Sequence, residues 1–317
     1  MIKVGVIGAG NMGRHHVRIY SELERCELVG LADPDESRAE LADTFKTQYF
    51  VDHRRLLEKQ PQLVTIAAPT TNHVELARDA LDAGCHLLIE KPISADVQAA
   101  QDLVDYARQK ARMIAVGHIE RFNPAIVALK SLIDIGELGD VLTVHNLRVS
   151  PYHGRILDTG IVLDIGVHDV DLISMLMGGR GSSVFATGFQ RIHSHEDHAV
   201  IQVAFDDGRS GVVELSWNAP YRIRHILVSG ARRYALCDLI DQRLVVYEED
   251  SAANRLMPVP KPVAKGEPLR AELASVIECV ENGTPPVCKP ADSIYALEAC
   301  LAALKSMQSG QVEKVGG

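Results

Sequence analysis

A strand pattern that runs into a glycine-rich turn constrains this chain more than any other feature. The segment IKVGVIGAGNMGRHH places Gly8, Gly10 and Gly13 in a G-x-G-x-x-G spacing between β-branched residues and a helical pattern. In this context the first glycine permits a tight turn, the second lets a pyrophosphate approach the backbone, and the third lets helix pack on strand. The helix N-terminus adds oriented N–H groups that bind phosphate. The pattern predicts a dinucleotide site that also includes Asn11 and Met12.

The second predicted strand indicates which dinucleotide binds. ELVGLAD ends in Asp33, 20 residues after Gly13, where a carboxylate accepts hydrogen bonds from the ribose hydroxyls of NAD. The 2′-phosphate of NADP would meet this carboxylate at a cost of about 4 kcal/mol for each charge pair. Arg38 follows only after Pro34, too late to offset that repulsion. The alternative to a dinucleotide site is a glycine turn that serves packing alone. The strand, the loop, the helix and Asp33 together favour a dinucleotide site with NAD as the cofactor.

Strand and helix patterns then alternate as far as residue 119, with strands at QLVTIAAPT, CHLLIEKP and MIAVGH. Such alternation predicts a parallel sheet with helices on both faces, and ligands bind such sheets at the carboxyl ends of the strands. The residues at those ends complete the predicted cofactor site: Ala68, Pro69, Asn72, His73, Glu90 and Lys91. Pro92 would aim the Lys91 ammonium at the nicotinamide end. A solvated Glu90–Lys91 pair that merely ends a strand is the alternative.

The second part of the chain, residues 120–317, is predicted to be an α+β domain with a large, open, mainly antiparallel sheet. We expect its final helix to pack back on the first domain. A loop rich in proline and lysine is predicted from Pro258 to Pro268. The fold class is therefore α/β, with a doubly wound Rossmann domain over residues 1–119 followed by this second domain. Seven segments of alternating pattern predict its strands: LTVHNLRVS, SVFATGFQ, HAVIQVAF, RSGVVELSW, RHILVSG, YALCDLI and RLVVYEE.

One helix interrupts those strands and carries an acid and an imidazole on one face. The segment DIGVHDVDLISMLMGG places Asp164 and His168 at i and i+4, near the helix N-terminus, and closes at Gly178 and Gly179. An aspartate can orient a histidine, and a neutral imidazole is well matched to accepting a proton near pH 7. The alternative is a capping aspartate and a histidine with a purely local partner.

Charge and cysteine usage exclude several classes of protein. A net charge of -9 and a pI near 5.8 argue against a general nucleic-acid or anionic-membrane surface. The six cysteines include no C-x-x-C pair. The segment HSHEDH holds three histidines, His193, His195 and His198, but no second group of ligands at zinc spacing, so no metal site is predicted. No apolar run would span a bilayer and no leader is apparent, so we expect a cytoplasmic protein.

The three motifs together resemble the Gfo/Idh/MocA family of NAD(P)-dependent sugar and inositol dehydrogenases. They are Gly8-x-Gly10-x-x-Gly13, the family's most specific element Glu90-Lys91-Pro92, and Asp164-x-x-x-His168. The resemblance covers nearly the whole chain and implies that Lys91, Asp164 and His168 are catalytic. It also implies a homodimer or homotetramer that forms through the C-terminal sheet.

A narrower resemblance suggests the substrate. GHIERFNPAI, ELSWNAPYRIR and the segment from Arg148 to Leu172 are similar to the branch that contains UDP-N-acetylglucosamine 3-dehydrogenases. A diphosphate needs local cations in an acidic protein, and guanidinium groups suit phosphate oxygens. The predicted substrate-binding residues are therefore Lys91, Arg121, Asn123, Arg148, Arg155 and His168.

Three classes of function stay open on the sequence alone. The first is a dehydrogenase of a nucleotide sugar, or alternatively of an inositol or free sugar. The second is an NAD-dependent glycosidase of the same family, which would turn over without net NADH. The third is a cofactor-binding regulator without chemistry, and the joint presence of Lys91, Asp164 and His168 argues against it.

Overall fold

A computed structural model describes residues 1–152, 154, 159–250 and 255–316. They form two compact units, one of Met1–Ile119 with Leu269–Ile294 and the other of Glu120–Pro268 with Tyr295–Gly317. Most of the second-last helix thus belongs to the first unit, whereas most of the last helix belongs to the second. No helix among the described residues is long and apolar enough to cross a membrane.

The strands, numbered along the chain, are β1 (Ile2–Ile7), β2 (Cys26–Ala32), β3 (Tyr49–Phe50), β4 (Leu63–Ile66), β5 (His86–Glu90), β6 (Ile114–Gly117), β7 (Val141–Pro151), β8 (Ser183–Phe189), β9 (His198–Ala204), β10 (Ser210–Ser216), β11 (Asn218–Gly230), β12 (Tyr234–Asp238), β13 (Arg243–Asp250), β14 (Arg255–Lys261) and β15 (Glu313–Lys314). The helices are α1 (Gly13–Glu22), α2 (Ala39–Thr44), α3 (His53–Leu57), α4 (His73–Asp82), α5 (Val97–Gln109), α6 (Pro124–Asp134), α7 (Val167–Met177), α8 (Pro268–Asn282) and α9 (Pro290–Ser309). Short 3₁₀ turns cover Glu36–Arg38, Thr70–Asn72 and Ile119–Phe122, and a π-helical turn covers Val162–Gly166.

The first unit is built on a six-stranded parallel sheet of order β3-β2-β1-β4-β5-β6, which confirms the predicted Rossmann architecture. Helices cover both faces of this sheet. On one face α4 and α5 bury residues such as Ala77 and Leu103 against Val64 and Ile66. On the other face α1 and α8 pack against the remaining strand residues. This two-sided burial explains why the strands read as continuous apolar runs.

The second unit contains a nine-stranded sheet of order β14-β13-β12-β11-β7-β10-β9-β8-β15. Its neighbouring strands are antiparallel except for β7 and β10, so the predicted mainly antiparallel sheet is confirmed. Helices α6, α7 and α9 pack on one face around a single core. On the opposite face the side chains in register across β10, β7, β11, β12 and β13 are only partly buried: Val212, His145, Leu227, Leu236 and Val245.

The segment that reads as a proline-rich loop is in part a strand. β14 pairs with β13, with Pro258 opposite Tyr247 and Pro260 opposite Val245. Proline cannot donate to a sheet ladder, but it is tolerated on an edge strand whose second side lacks a partner strand. Because β14 ends the order of the sheet, its prolines are compatible with pairing on one side. The composition of this segment therefore concealed a strand.

Candidate active site

The glycine loop has the geometry that a dinucleotide requires. Gly8 has a φ of 88°, and an added Cβ there would overlap the backbone of Ala67. A Cβ at Gly13 would overlap the carbonyl oxygen of Gly8, so this glycine lets α1 approach the loop closely. An added Cβ at Gly10 meets nothing within 4 Å, and no side-chain hydrogen bond caps the start of α1. Both the open backbone at Gly10 and the uncapped helix fit a pyrophosphate.

Asp33 lies directly against this loop. Its Oδ2 accepts a hydrogen bond of 2.7 Å from the backbone N–H of Ala9, and its Oδ1 accepts one of 2.9 Å from Asp35. The carboxylate is half-buried at the end of β2, where the hydroxyl of Tyr49 also donates to the Asp33 carbonyl oxygen at 2.7 Å. An anchored anion beside the glycine loop fits the ribose hydroxyls of NAD and opposes a 2′-phosphate.

His73 holds two strand ends together rather than facing solvent. One ring nitrogen lies 2.9 Å from the carbonyl oxygen of Ala68, and the other lies 3.0 Å from that of Pro92. With an exposed fraction of only 1%, its side chain acts by fixing the backbone around Pro69 and Lys91. Among the other predicted cofactor contacts, Asn11 and Asn72 are exposed and Met12 is half-buried.

The glutamate of the Glu-Lys-Pro motif turns inward. Glu90 is 8% exposed, and its Oε1 lies 2.9 Å from Nε2 of the fully buried His16 on α1. Burial raises the pKa of the Glu90 carboxyl, but the hydrogen bond and charge of His16 and the charge of Lys91 outweigh it, so the pKa is lowered. Glu90 is thus an anion behind Lys91, which excludes a merely solvated charge pair at this strand end.

Glycine at a neighbouring strand makes room for this arrangement. Glu90 pairs with Gly117 of β6, and a Cβ at that position would lie 3.1 Å from the Glu90 carboxyl carbon. Sequence reasoning did not identify His16 or Gly117 as part of the site. A signal for His16 exists, because it shares the buried face of α1 with Val17 and Tyr20, where a histidine is costly unless it has a partner.

In the second unit, Asp164 and His168 lie on successive turns, but in two kinds of helix. Asp164 belongs to the π-helical turn Val162–Gly166, and His168 lies in the first turn of α7. Both side chains are half-buried. The helix ends at Gly178, whose φ of 68° is left-handed, as the glycine pair predicts. π-Helical turns are rare and often occur at functional sites, so this segment has the character of a site.

The predicted phosphate-binding arginines have carboxylate partners. Arg121 forms a two-pronged pair with Asp171, with N···O distances of 2.7 and 2.5 Å. Arg148 donates to Asp169 and to Glu120, each at 2.7 Å. Both arginines are at least 92% buried. Both guanidinium groups are therefore held by buried carboxylates in the core of the unit, and the phosphate contact stays a prediction.

The remaining predicted substrate residues divide between the core and an undescribed segment. Asn123 caps α6 by accepting from the N–H of Ala125 at 3.1 Å, and its amide donates to the Leu239 carbonyl oxygen at 2.9 Å. It is 3% exposed, so its polar atoms serve the fold. Arg155 lies outside the described residues.

Of the three clustered histidines, His193 and His195 lie in a loop that the buried Asp197 organises, and His198 begins β9. Oδ2 of Asp197 accepts hydrogen bonds from the N–H groups of three successive residues, 191 to 193. The ring of His193 lies 5.3 Å from those of both Tyr152 and Trp217. Among the described residues, no group of three or more His, Cys, Asp or Glu could hold a metal ion.

The chain is similar to known dehydrogenases in both sequence and structure. The chain is 28% identical over 309 residues to UDP-N-acetylglucosamine 3-dehydrogenase of Acidithiobacillus ferrooxidans, covering 96% of each chain. It is 25% identical over 325 residues to scyllo-inositol 2-dehydrogenase (NAD(+)) of Bacillus subtilis, covering 98% of this chain and 95% of that one. The solved structure of the A. ferrooxidans enzyme, GnnA, superposes with a TM-score of 0.89 at 27% identity, covering 97% of this chain and 98% of that one.

Two family models match most of the sequence. Residues 2–118 match the oxidoreductase family with an NAD-binding Rossmann fold, and residues 126–236 match the Gfo/Idh/MocA C-terminal domain. The first match covers the glycine loop, Asp33 and the Glu-Lys-Pro motif, and the second covers Asp164 and His168. The chain therefore belongs to the Gfo/Idh/MocA family of oxidoreductases, and NAD is the cofactor of its Rossmann domain.

Proposed function

We propose that this chain is a dehydrogenase that oxidises a secondary hydroxyl group of a sugar or polyol with NAD. The observation that carries the proposal is the end of β5. There Lys91 follows a buried Glu90–His16 pair in a sheet whose glycine loop and Asp33 fit a dinucleotide. Relatives that act on a nucleotide sugar and on an inositol support the same class of substrate.

Three side chains divide the chemistry. NAD, when bound, supplies the acceptor for the hydride that leaves the substrate carbon. In the proposal His168 accepts the proton of the hydroxyl group, and Lys91 donates a hydrogen bond to the oxygen that becomes a carbonyl. Asp164, one turn before His168, orients the imidazole of His168. Lys91 and His168 can exchange these roles, because either group can hold the proton.

The Glu90–His16 pair supports the role of Lys91 in particular. Glu90 is ionised, so the Nε2–H group of His16 donates to it and fixes the carboxylate beneath the strand end. Lys91 follows this carboxylate directly in the chain, and its side-chain nitrogen supplies the hydrogen-bond donor that the proposal requires. His73 contacts the backbone carbonyl oxygen of Pro92, directly after Lys91, and that of Ala68 beyond the end of β4, so the backbone that carries Lys91 is anchored.

For the substrate we propose UDP-N-acetylglucosamine or a related nucleotide sugar, oxidised at its 3-hydroxyl. Support comes from the relative that is 28% identical over nearly the whole chain. The buried pairs of Arg121 and Arg148 remove the charge argument that the sequence offered for a diphosphate. An inositol or free sugar is the second candidate, favoured by the B. subtilis relative.

The test is a substrate panel with the purified enzyme and NAD, in which NADH formation is followed by absorbance. UDP sugars, free hexoses and inositols are compared, and the ketone is trapped with an amino donor and an aminotransferase because oxidation can be uphill. Lys91→Met and His168→Ala should each lower turnover by about 100-fold or more while NADH still binds. Oxidation of inositol with every UDP sugar inert would remove the nucleotide-sugar assignment. Glycoside cleavage without net NADH would establish the glycosidase instead.

We also propose that the open face of the nine-stranded sheet associates with a second copy of the chain. One partly buried row crosses five strands and is apolar at four of its five positions: Val212, His145, Leu227, Leu236 and Val245. Exposed apolar surface of this kind is buried readily against a partner. Leu227→Asp should shift the protein to monomer in light scattering. Ile135→Asp, at an exposed position after α6, is the matched control and should leave the mass unchanged.

A further inference from the structure

The helical segment that carries Asp164 is hydrogen-bonded at its start to Glu196, which lies in a loop between β8 and β9. The first N–H groups of a helical segment have no partner within the segment and need an acceptor from outside it. Here the N–H of Ile161 donates to the backbone carbonyl oxygen of Glu196 at 2.9 Å. The N–H of Val162 donates to the side-chain Oε1 of the same residue at 3.1 Å. Glu196 therefore caps this segment with two oxygen atoms.

The loop that delivers Glu196 is itself firmly held. The adjacent Asp197 donates its N–H to the carbonyl oxygen of Phe189 at 3.1 Å and accepts one from Trp217 at 2.8 Å. Its carboxylate also accepts a hydrogen bond of 2.7 Å from the amide of Asn218. The backbone next to Glu196 is thus fixed by hydrogen bonds to Phe189, Trp217 and Asn218, independently of the helical segment that Glu196 caps.

Gly160 lies directly against the carboxylate of Glu196. An added Cβ at Gly160 would overlap the Glu196 carboxylate, so only glycine leaves space for it. The φ of Gly160 is not in the left-handed region, so the backbone would accept alanine there. The carbonyl oxygen of Gly160 accepts from the N–H of Asp164 at 3.0 Å, which links this glycine directly to the predicted catalytic residue.

We propose that Glu196, seated against Gly160, is a positioning residue that sets the orientation of the Asp164 and His168 side chains. This inference rests on the proposed function. The π-helical turn places Asp164 on a wider spiral than an α-helix, so its direction depends on where the first turn is fixed. Two capping oxygens from one hydrogen-bonded loop fix that turn. The HSHEDH segment then serves catalysis through its glutamate.

The test is a double-mutant cycle in the full-length enzyme with its best substrate. Glu196→Ala removes the side-chain acceptor, and Gly160→Ala displaces it, so each should lower kcat by about 10-fold to 100-fold. The double variant should be no slower than either single one, because the methyl group has no carboxylate to displace. Glu196→Gln keeps an oxygen acceptor and should retain most of kcat. Gly179→Ala, at a site where a Cβ meets nothing within 4 Å, controls for the change to alanine.

The readouts separate positioning from general damage. NADH affinity should be unchanged in every variant, and substrate KM should change less than kcat, because the lost contact touches neither ligand. An active wild-type enzyme whose Glu196→Ala and Gly160→Ala variants keep full kcat would overturn the positioning role alone. Additive losses in the double variant would overturn it as well. A wild-type enzyme that oxidises no sugar or polyol would overturn the proposed function, and the positioning role with it.

Discussion

Glu272 provides the sharpest test of the electrostatics in the first unit. This carboxyl group lies on the buried face of α8 and is 1% exposed, and neither oxygen has a hydrogen-bond partner among the described residues. Burial first, and then the negative charge of Glu90, raise its pKa well above the usual value for glutamate. The folded protein therefore keeps a proton on Glu272 at a pH where the unfolded chain has released it.

The sign and size of the consequence follow from proton linkage. An unfolded glutamate loses its proton near about pH 4.3. Above that pH, unfolding releases one proton from Glu272, so the free energy of unfolding falls by about 1.4 kcal/mol per pH unit from this group. The fall continues until the pH reaches the raised pKa of the folded state. Glu272→Gln removes the titrating group, so its stability relative to the wild type should rise with pH at this slope.

The measurement is urea unfolding of both proteins between about pH 5 and about pH 8, extrapolated to zero denaturant. Circular dichroism is needed, because the single tryptophan, Trp217, belongs to the second unit. Glu278→Gln, an exposed position on the same helix, is the matched control and should give a difference that does not change with pH. Parallel pH profiles for the wild type and Glu272→Gln would refute the assignment of a buried proton.

Three further substitutions test separate features of the chain. Asp33→Ala should narrow the preference for NAD over NADP by about 10-fold or more in fluorescence titrations, whereas substitution of the exposed Asp35 by alanine should leave the preference unchanged. Equal affinities of the wild type for NAD and NADP would contradict the role of Asp33. Glu90→Gln should lower the free energy of unfolding by about 1–3 kcal/mol at neutral pH in urea unfolding. The loss should shrink as the pH falls through the lowered pKa of Glu90 in the folded state, and a loss independent of pH would argue against an ionised Glu90. Arg148→Met should lower the free energy of unfolding by about 3–5 kcal/mol, because it leaves the buried carboxylate partners of Arg148 unpaired. The side chain of Arg224 is 40% exposed, so Arg224→Met should lower it by less than about 1 kcal/mol, and similar losses in the two variants would contradict the burial argument.

The sequence predicted those parts of the fold that depend on local pattern. The glycine spacing and Asp33 lie within one βαβ unit, so their relation could be inferred from the chain alone and agrees with the structure. Contacts between distant segments could not be inferred in this way. His16 meets Glu90 across 74 positions of sequence, and Glu272 reaches the same region from a helix near the end of the chain.

The local pattern also failed where it was ambiguous. The π-helical turn at Val162–Gly166 leads directly into α7, so the sequence reads as one continuous helix from Asp164. In β14, prolines that normally mark loops occupy an edge strand, where only one side of the backbone needs partners. In both cases the environment, rather than the residue types, decides the structure.

The arginines show why residue type alone cannot separate a ligand contact from a buried ion pair. A guanidinium group binds a carboxylate and a phosphate with the same planar fork, so Arg121 and Arg148 satisfy both readings of the sequence. Their partners distinguish the two, and Asp169 and Asp171 lie on α7, directly after His168. The buried pairs therefore tie the helix that bears the proposed base to β7 and to the turn at Ile119–Phe122. Arg121 and Arg148 can thus be required for the position of the proposed catalytic segment, whether or not they touch the substrate.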